Sequence, residues 1–496
     1  MDPGPFCEMR TPVATFSENN PTTPAAMLEA PPPVAAPSFM QRLRHLPLQT
    51  RRRIGLRLLS LVFLVVAMCL LLRHRNHATS TTAVAVDPRS TRIRDGSAAT
   101  MAPPATRVCA HAHYMSTPAG TLHAVSGNVT SPPLFLKGIN WFGLEGTDAI
   151  LAGLDANGTT LEDVADFLAR HGFNSLRLPL AVTHILDNTR SNSARWNAEA
   201  ASTTYLAFLG RVVQIMAARN ISILLDLHVL SPHEVGDLWY SNAVPESMVV
   251  AAIHALSAAF CTSDYWNVLG VDLKNEPFGA SWTTNATNRS WHEAVDTLGS
   301  AVVTACPQWL AFVQGAQPSS SNKTTDLWRG AGFPASMPTL GSLPANKIVF
   351  APHYYTPSTE PLPLFYNVDA TGQLVEMDDE ATLTAAVQAS MTAMFPSGGA
   401  IVIGEFGGLY GAADAHPKKT ASRVLDIVIA TITARYAGGF LWSLNPDSLY
   451  GFDWVNQTQR FVPYGLLAPT WLDVHGDLLG ALNPMTQSSA LPCFAP

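Results

Sequence analysis

Residues 268–279 read VLGVDLKNEPFG, an apolar run that ends abruptly in an asparagine, a glutamate and a proline. Seven further runs are similarly apolar and rich in β-branched residues: LFLKGIN (134–140), NSLRLPL (174–180), SILLDLH (222–228), WLAFVQG (309–315), KIVFAPHY (347–354), AIVIGEF (400–406) and GFLWSLN (439–445). Their hydrophobicity is continuous rather than alternating, which is typical of parallel strands covered on both faces. The sequence therefore predicts eight parallel strands.

Segments with helical periodicity separate these strands, from LEDVADFLARHG (161–172) to ASRVLDIVIATITARY (421–436). Eight such strand–helix units predict an α/β protein of the (β/α)8 TIM-barrel type. An open, doubly wound sheet is the alternative fold. It is disfavoured because no glycine-rich phosphate-binding sequence follows the first strand.

Polar side chains stand at the carboxyl ends of these strands, the edge that forms the active-site face of a barrel. They are Arg177, Asp226, His228, Asn275, Glu276, His353, Tyr355, Glu405, Trp442 and Asn445. Glu276 ends the fourth strand and Glu405 the seventh, so both carboxylates point into one central cleft. A pair of carboxylates flanking a bond is what glycoside hydrolysis requires.

Two of these strand ends, GVDLKNEPFG (270–279) and IVIGEFGG (401–408), resemble the acid/base and nucleophile motifs of family 5 glycoside hydrolases, the cellulase family. The resemblance extends over most of residues 106–450. Its further motifs are LKGINWFGLE (136–145), NSLRLPL (174–180), LLDLH (224–228) followed by LWY (238–240), PHYY (352–355) and GGFLWSLNPDS (438–448). All of them occur in order at the expected strand ends.

The resemblance implies a retaining endo-1,4-β-glucanase-like enzyme in which Glu276 is the acid/base and Glu405 the nucleophile. In retaining enzymes the two carboxyl groups lie about 5 to 5.5 Å apart. Arg177 and Tyr355 are expected to orient the nucleophile, and Asn275 to bond the sugar 2-hydroxyl. His228 and His353 are expected to bind sugar hydroxyls or to hold the two glutamates in place. Aromatic sugar contacts are expected from Trp442, Trp239 and Tyr240. Asp226 is expected to be structural.

Other functions remain open at this point. A β-mannanase or a β-1,3-glucanase has the same catalytic core, and a transglycosylase has the same intermediate. A non-catalytic glycan-binding surface protein is disfavoured because both glutamates are present. No cofactor and no metal ion are expected, and the histidine pair of HAH (111–113) is interpreted as lid or strand sequence.

The N-terminal hundred residues differ from the rest. Residues 1–53 are predicted to form a disordered tail with a basic end, and the apolar run 54–72 has about the roughly 20 residues that cross a bilayer. Six arginines between residues 42 and 57, against two just beyond the run, predict a single-pass type II anchor with a cytosolic N-terminus. Residues 73–105 are predicted to be a stem and residues 106–496 the catalytic domain.

Cysteines and glycosylation sequons agree with export to the cell surface or a secretory lumen. Four of the six cysteines follow the apolar run, and we predict the disulfides Cys261–Cys306 and Cys109–Cys493. Seven N-x-[ST] sequons also lie there, at Asn128, Asn157, Asn220, Asn285, Asn288, Asn322 and Asn456.

Charge and composition bound the partners. The net charge is -7, and charged residues make up 14% of the chain, against roughly 25% in an average soluble protein. With no basic cluster beyond residue 100, nucleic acid is excluded as a partner. The sequence predicts a monomer whose partners are a polysaccharide or oligosaccharide substrate and the membrane that its single span crosses.

Overall fold

The structure, a computed structural model, describes residues 92–93, 109–154, 159–191, 203–283, 290–316, 330–334, 337, 339–359, 361–446, 448–453, 458–462, 464–486 and 491–495. All of them belong to one compact unit, Arg89–Pro496. The predicted tail 1–53 and the predicted span 54–72 lie outside the described residues. No helix in the described part of the chain is long and apolar enough to cross a membrane. The type II anchor therefore stays a prediction.

Eight strand positions form the central sheet, with β6 and β7 each in two parts. They are β1 (Leu136–Asn140), β2 (Ser175–Ala181), β3 (Ser222–Val229), β4 (Val268–Asp272), β5 (Leu310–Val313), β6 (Ile348–Phe350 and His353–Tyr355), β7 (Ala400–Ile401 and Ile403–Gly407) and β8 (Gly438–Leu441). Each strand pairs in parallel with the next, and β8 pairs with β1. The sheet is therefore a closed ring. It confirms the (β/α)8 barrel and excludes the open, doubly wound alternative.

The described residues contain eight α-helices. They are α1 (Leu161–Arg170), α2 (Val182–Asp187), α3 (Tyr205–Ala217), α4 (Glu246–Phe260), α5 (Trp291–Ala305), α6 (Glu380–Met394), α7 (Thr420–Arg435) and α8 (Gly476–Ala481). Capping boxes begin α1 at Thr160 and α5 at Ser290, where each hydroxyl accepts the N–H of the third helical residue. All segments with predicted helical periodicity are helical, because each places an apolar face on the barrel.

Smaller elements occupy the ends and the loops. The antiparallel pairs of the later loops are Tyr366–Val368 with Leu374–Glu376 and Ser448–Asp453 with Thr458–Val462. Before β1, an antiparallel sheet is formed by His113–Ser116, Leu122–Ser126 and Val129–Thr130. In one apolar cluster, Tyr114 and Leu122 of that sheet pack with Leu136, Leu310 and Val349 near the amino ends of three strands. The N-terminal sheet thus closes the base of the barrel and leaves the opposite end for chemistry.

Close approach of backbones explains one glycine in the stretch 268–279. A Cβ atom on Gly270 would lie 1.9 Å from the carbonyl oxygen of Leu310 on the neighbouring strand β5. Any larger residue would push β4 and β5 apart. The strand itself ends at Asp272, earlier than the predicted run 268–275.

Both predicted disulfides are present, Cys109–Cys493 and Cys261–Cys306. Cys261 follows the last residue of α4, and Cys306 follows the last residue of α5. The two neighbouring helices are therefore joined at their carboxyl ends. A ring nitrogen of His111 lies within 4.8 Å of these sulfur atoms, which are bonded to each other rather than available as thiolate ligands.

Part of the predicted stem belongs to the catalytic unit. Ile93 is 1% exposed, and its backbone N–H donates to the carbonyl oxygen of Leu472 at 2.8 Å. The Arg170 guanidinium donates to the Ile93 carbonyl at 2.7 Å, and Arg92 pairs with Asp473 at 3.0 Å. The folded unit thus includes residues well before the predicted domain start at 106.

Candidate active site

The carboxyl ends of the strands bring most of the predicted site residues together. Parallel register places His353 of β6 opposite Glu405 of β7, and Asp226 of β3 opposite Asp272 of β4. Arg177 lies within β2, next to Asn140 of β1. Neighbouring strands therefore present their polar side chains at one depth of the barrel, as the sequence predicts.

Glu405 is held from two sides. Its Oε1 accepts a hydrogen bond from Nη1 of Arg177 at 2.8 Å, and its Oε2 accepts one from the Tyr355 hydroxyl. Burial and the negative charge of Glu405 raise the pKa of Tyr355 well above its ordinary value, so the phenol keeps its proton. The carboxylate is thus fixed in orientation by one cation and one neutral donor.

Glu276 follows β4 and is more accessible, with 23% of its side chain exposed. Its Oε1 lies 2.9 Å from Nδ1 of His353, and its backbone N–H donates to Oε1 of Gln314 at 2.8 Å. Its φ angle is 44°, in the left-handed region. The chain therefore turns at Glu276 itself, immediately before Pro277.

The two glutamates approach each other across the cleft. A carboxylate oxygen of Glu276, a carboxylate oxygen of Glu405 and a ring nitrogen of His353 all lie within 4.8 Å of one another. This limit on the nearest atoms is compatible with the carboxyl separation of about 5 to 5.5 Å in retaining glycosidases. Nδ1 of His353 also lies 3.4 Å from Oε2 of Glu405, so its ring bridges the pair.

Arg177 is the fully buried cation around which the acidic groups gather. It contacts Oδ2 of Asp272 at 2.9 Å and Oδ2 of Asp226 at 3.0 Å. Burial alone would lower the pKa of Arg177, but Asp226, Asp272 and Glu405 raise it. Burial and the charge of Asp226 raise the pKa of Asp272 to about 6, against the lowering effect of Arg177. The guanidinium thus neutralises more than one carboxylate.

A second group of contacts surrounds Asn275. Its Oδ1 accepts from Nη2 of Arg177 at 3.0 Å, and its Nδ2 lies 3.4 Å from Nε2 of His228. Nδ1 of His228 lies 2.6 Å from Oδ2 of Asp226. Burial opposes protonation of His228, but the charge and hydrogen bond of Asp226 outweigh it and raise the pKa. The amide N–H groups of Asn275 thus remain directed towards the cleft side occupied by His228.

The predicted aromatic contacts divide into two groups. Trp442 lies nearly parallel to Phe142, with ring centroids 5.4 Å apart, and to His228, at 5.7 Å. Trp442 is only 6% exposed. One wall of the cleft is therefore formed by the row of three rings rather than by the indole alone. Trp239 is 0% exposed and donates to Glu246, so the structure does not support the expected sugar contact there. Tyr240, packed on Trp239, is half-buried.

Three polar residues of the site were not singled out from the sequence. Asn140 donates to carbonyl groups of β7 and β8 and accepts from Arg177 at 2.9 Å. Asp272 and Gln314 are joined by a hydrogen bond of 2.8 Å from Nε2 to Oδ2. All three lie at the ends of apolar runs, in LKGIN, GVDL and AFVQ. A position at the end of an apolar run is therefore the sequence feature that indicates these residues as well as their neighbours.

A closed (β/α)8 barrel with two opposed carboxylates at the carboxyl ends of its strands defines the class of glycoside hydrolases. The chain belongs to the cellulase family, glycosyl hydrolase family 5, whose model matches residues 134–448. This match covers more than half of the chain and includes both glutamates.

Curated relatives are endoglucanases. The chain is 30% identical over 319 residues to the major extracellular endoglucanase of Xanthomonas campestris, a match covering 63% of this chain and 62% of that enzyme. It is 26% identical over 317 residues to an endoglucanase of Paenibacillus polymyxa, covering 63% of this chain and 76% of that protein. The first match thus spans less than two thirds of the relative's length.

Solved structures agree on the fold. The catalytic domain of the Xanthomonas campestris enzyme superposes with a TM-score of 0.59 at 25% identity, covering 75% of this chain and 99% of that one. A cellotetraose complex of the endocellulase from Pyrococcus horikoshii has a TM-score of 0.62 at 25% identity, covering 76% of this chain and 99% of that one. The barrel therefore matches nearly the whole of each catalytic domain.

Proposed function

We propose that this protein is an endo-1,4-β-glucanase that cleaves internal β-1,4-glucosidic bonds by a retaining double displacement. The observation that carries the proposal is the approach of the Glu276 and Glu405 carboxylate oxygens to within 4.8 Å. An approach this close is compatible with the carboxyl separation of about 5 to 5.5 Å in retaining enzymes, in which one carboxylate attacks the sugar directly. Glu405 is then close enough to act as the nucleophile itself.

In the first step, Glu405 attacks the anomeric carbon while Glu276 protonates the leaving glycosidic oxygen. Arg177 and Tyr355 direct the Glu405 oxygens, and their donors balance its charge before attack. In the second step, Glu276 takes a proton from water, which attacks the anomeric carbon and releases Glu405. The same two groups thus perform both displacements with overall retention of configuration.

The surrounding residues bind the sugar in this proposal. An amide N–H of Asn275 donates to the 2-hydroxyl, an interaction that strengthens as the oxocarbenium-like transition state forms. His228 and the rings of Trp442 and Phe142 line the wall beside it. Tyr240 is a partly accessible aromatic contact further along the cleft in this proposal. His353, within reach of both glutamates, keeps their carboxyl groups correctly separated.

A β-1,4-glucan is the substrate supported best, since the named relatives are endoglucanases and a structural relative is complexed with cellotetraose. The catalytic centre alone does not choose between glucan and mannan, because loops outside it contact the neighbouring sugars. The assay below therefore compares several polymers.

The location is part of the proposal. Residues 54–72 anchor the protein in a membrane in the type II orientation, with the catalytic unit in an oxidising compartment or outside the cell, as a monomer. Two disulfides and the exposed sequon at Asn128, in the turn between two strands of the basal sheet, support this placement. Protease digestion of sealed microsomal vesicles, with glycosylation of Asn128, tests it. In these vesicles a protected catalytic unit with an accessible tail supports the orientation, and the reverse pattern overturns it.

Hydrolysis assays test the activity. The full chain is incubated with soluble β-1,4-glucan, β-1,4-mannan and β-1,3-glucan, and the anomer formed first is identified by NMR. We expect rapid loss of β-1,4-glucan viscosity and a β-anomeric product. The conservative variant Glu405→Gln, which keeps the size of the side chain, removes the nucleophile and abolishes turnover.

Other outcomes reject defined parts of the proposal. A product of inverted configuration overturns the retaining mechanism. A preference for mannan or β-1,3-glucan overturns the substrate assignment alone. No hydrolysis of any polymer by folded protein overturns the enzyme, in favour of a glycan-binding protein.

A further inference from the structure

We propose that Gln314, which directly follows β5, is a positioning residue for the acid/base Glu276. This inference rests on the proposed function, because it concerns the proton that Glu276 delivers. The Gln314 side chain is 0% exposed and both ends of its amide are engaged. Oε1 accepts the backbone N–H of Glu276 at 2.8 Å, and Nε2 donates to Oδ2 of Asp272 at 2.8 Å.

Glu276 needs such a partner because of its backbone conformation. A φ of 44° is uncommon for a residue with a side chain, and conformations of this kind persist only where neighbouring groups determine them. The peptide on the far side is held as well, since the N–H of Phe278 donates to the Glu276 carbonyl at 2.7 Å. Gln314 thus fixes the amino side of a turn whose geometry aims the Glu276 carboxyl at His353.

A side-chain amide satisfies both neighbours of Gln314. The Glu276 N–H requires an acceptor, whereas the Asp272 carboxylate requires a donor. An apolar residue supplies neither, and an ionised carboxyl group supplies acceptors alone. The requirement for one acceptor and one donor also assigns the two ends of the amide.

The surroundings keep Gln314 in this position. The indole N–H of Trp291 donates to the Gln314 carbonyl oxygen at 2.9 Å. A Cβ atom on Gly330 would lie 2.8 Å from Oε1 of Gln314, so the backbone of that loop closes directly over the amide. The residue therefore has no alternative direction in which to turn.

Gln314 also relates the position of the acid to that of the nucleophile. Arg177 contacts both Oε1 of Glu405 and Oδ2 of Asp272, the same oxygen that Gln314 donates to. Four successive hydrogen bonds, through Arg177, Asp272 and Gln314, therefore connect the Glu405 carboxylate to the backbone of Glu276. Displacement of Glu276 by about 1 Å is enough to cost on the order of a hundredfold in rate.

The test separates proton delivery from every other step. Full-length wild type and Gln314→Leu are compared on phenyl β-cellobioside and 2,4-dinitrophenyl β-cellobioside. In both substrates Glu405 forms a bond to C1 as the C1–O bond to the phenol breaks. Phenoxide must receive the proton of Glu276, whereas dinitrophenolate leaves without one. A misplaced acid therefore impairs only the first substrate.

We expect kcat/KM of Gln314→Leu to fall by about ten- to a hundredfold on the phenyl glycoside, a partial loss of the roughly hundred- to ten-thousandfold that general acid catalysis supplies. On the dinitrophenyl glycoside, whose leaving group needs no general acid, kcat/KM should change by less than about threefold. Azide should raise kcat there, because it attacks C1 of the glycosyl-enzyme without a base, releasing Glu405 and yielding the β-glycosyl azide. Gln214→Leu, the same change at an exposed position of α3, is the matched control.

Equal losses on both substrates, with no effect of azide, would show a merely structural residue and overturn the proposal. If Gln314→Leu does not fold, Gln314→Glu answers the question. The new carboxyl group lies among the ionisable groups Asp272, Arg177, Glu276 and His353. It can donate a hydrogen bond to Asp272, as the amide does, only when it is protonated. Activity on the phenyl glycoside should recover as the pH falls, whereas an unchanged pH profile contradicts the proposal.

Failure of the proposed function has a different signature. Wild type that hydrolyses neither the aryl glycosides nor soluble β-1,4-glucan overturns the glucanase, and the role of Gln314 with it. Wild type that is active, beside Gln314 variants with no preference for the activated leaving group, overturns only the positioning role.

Discussion

Arg177 and Glu405 form a buried ion pair, with Nη1 and Oε1 2.8 Å apart, in which the same guanidinium also contacts two aspartates. The guanidinium is a planar fork of donors, so it reaches several carboxylates at once. In the proposed mechanism, this pair therefore holds the nucleophile and stabilises the barrel.

Replacement of Arg177 separates those two effects. Arg177→Lys keeps the charge but offers one compact ammonium, so we expect kcat/KM to fall by roughly a hundredfold. Arg177→Met leaves Asp226 and Asp272 without their cation and should lower the free energy of unfolding by about 3 to 5 kcal/mol. Steady-state kinetics and urea unfolding measure the two quantities. Wild-type activity in Arg177→Lys would contradict the role of the guanidinium in orienting Glu405.

The pH dependence of stability reports on His228. Its pKa in the folded protein is raised above 6.5, because the charge and hydrogen bond of Asp226 outweigh the effect of burial. The folded state then binds this proton more tightly than the unfolded state does. The resulting stabilisation is fully present below pH 6.5 and is lost as the pH rises through the folded-state value.

We therefore expect His228→Gln to be more destabilised relative to wild type at pH 6 than at pH 9. Thermal unfolding at both pH values measures the difference. His254→Gln, the same substitution at an exposed position of α4, should show no such change. A destabilisation of His228→Gln that is equal at both values would contradict the raised pKa.

The docking of Ile93 predicts where a stable catalytic unit begins. Ile93→Ala should cost about 2 to 5 kcal/mol, as expected for truncation of a buried isoleucine. A chain that starts at residue 106 should unfold at a lower temperature than one that starts at residue 89. Differential scanning calorimetry tests both expectations. Arg92→Ala is the control, since 68% of the Arg92 side chain is exposed and its ion pair contributes little.

The two disulfides should differ in their contributions to stability. Cys109–Cys493 closes a loop of 384 residues and Cys261–Cys306 a loop of 45. Loop-closure entropy predicts that the longer loop stabilises the protein by roughly 2 kcal/mol more. We expect the double Ser variant of Cys109 and Cys493 to have a lower melting temperature than the double Ser variant of Cys261 and Cys306. The opposite order would show that contacts around Cys261 and Cys306 dominate instead.

The chain order of strands and helices was predictable because it is local. Each strand is a short apolar run of its own, and each helix carries an apolar face with a period near 3.6 residues. Glu276 and Glu405 were predictable for the same reason, since each stands in a recognisable motif at the end of its run. Neither prediction required knowledge of which residues touch.

Contacts between distant segments were not predictable in this way. LWY (238–240) reads equally well as a cleft surface and as core, and burial of Trp239 behind Tyr240 depends on how α4 and α5 pack. The left-handed backbone at Glu276 is hydrogen-bonded to Gln314, which directly follows the next strand. Ile93 lies outside the repeating pattern and docks on a loop from the other end of the chain.

The sequence by itself determined the barrel, its eight strand positions and the pair of carboxylates, since these follow from local periodicity and from motifs at strand ends. The two disulfides followed from the places of the cysteines in the predicted barrel. Only the tertiary structure decided that Arg177, Asp272 and Gln314 connect the two glutamates, and that Trp239 is core. The physical reason is that closure of the ring sets the distance between side chains on different strands, and hydrogen bonding acts only within about 3 Å.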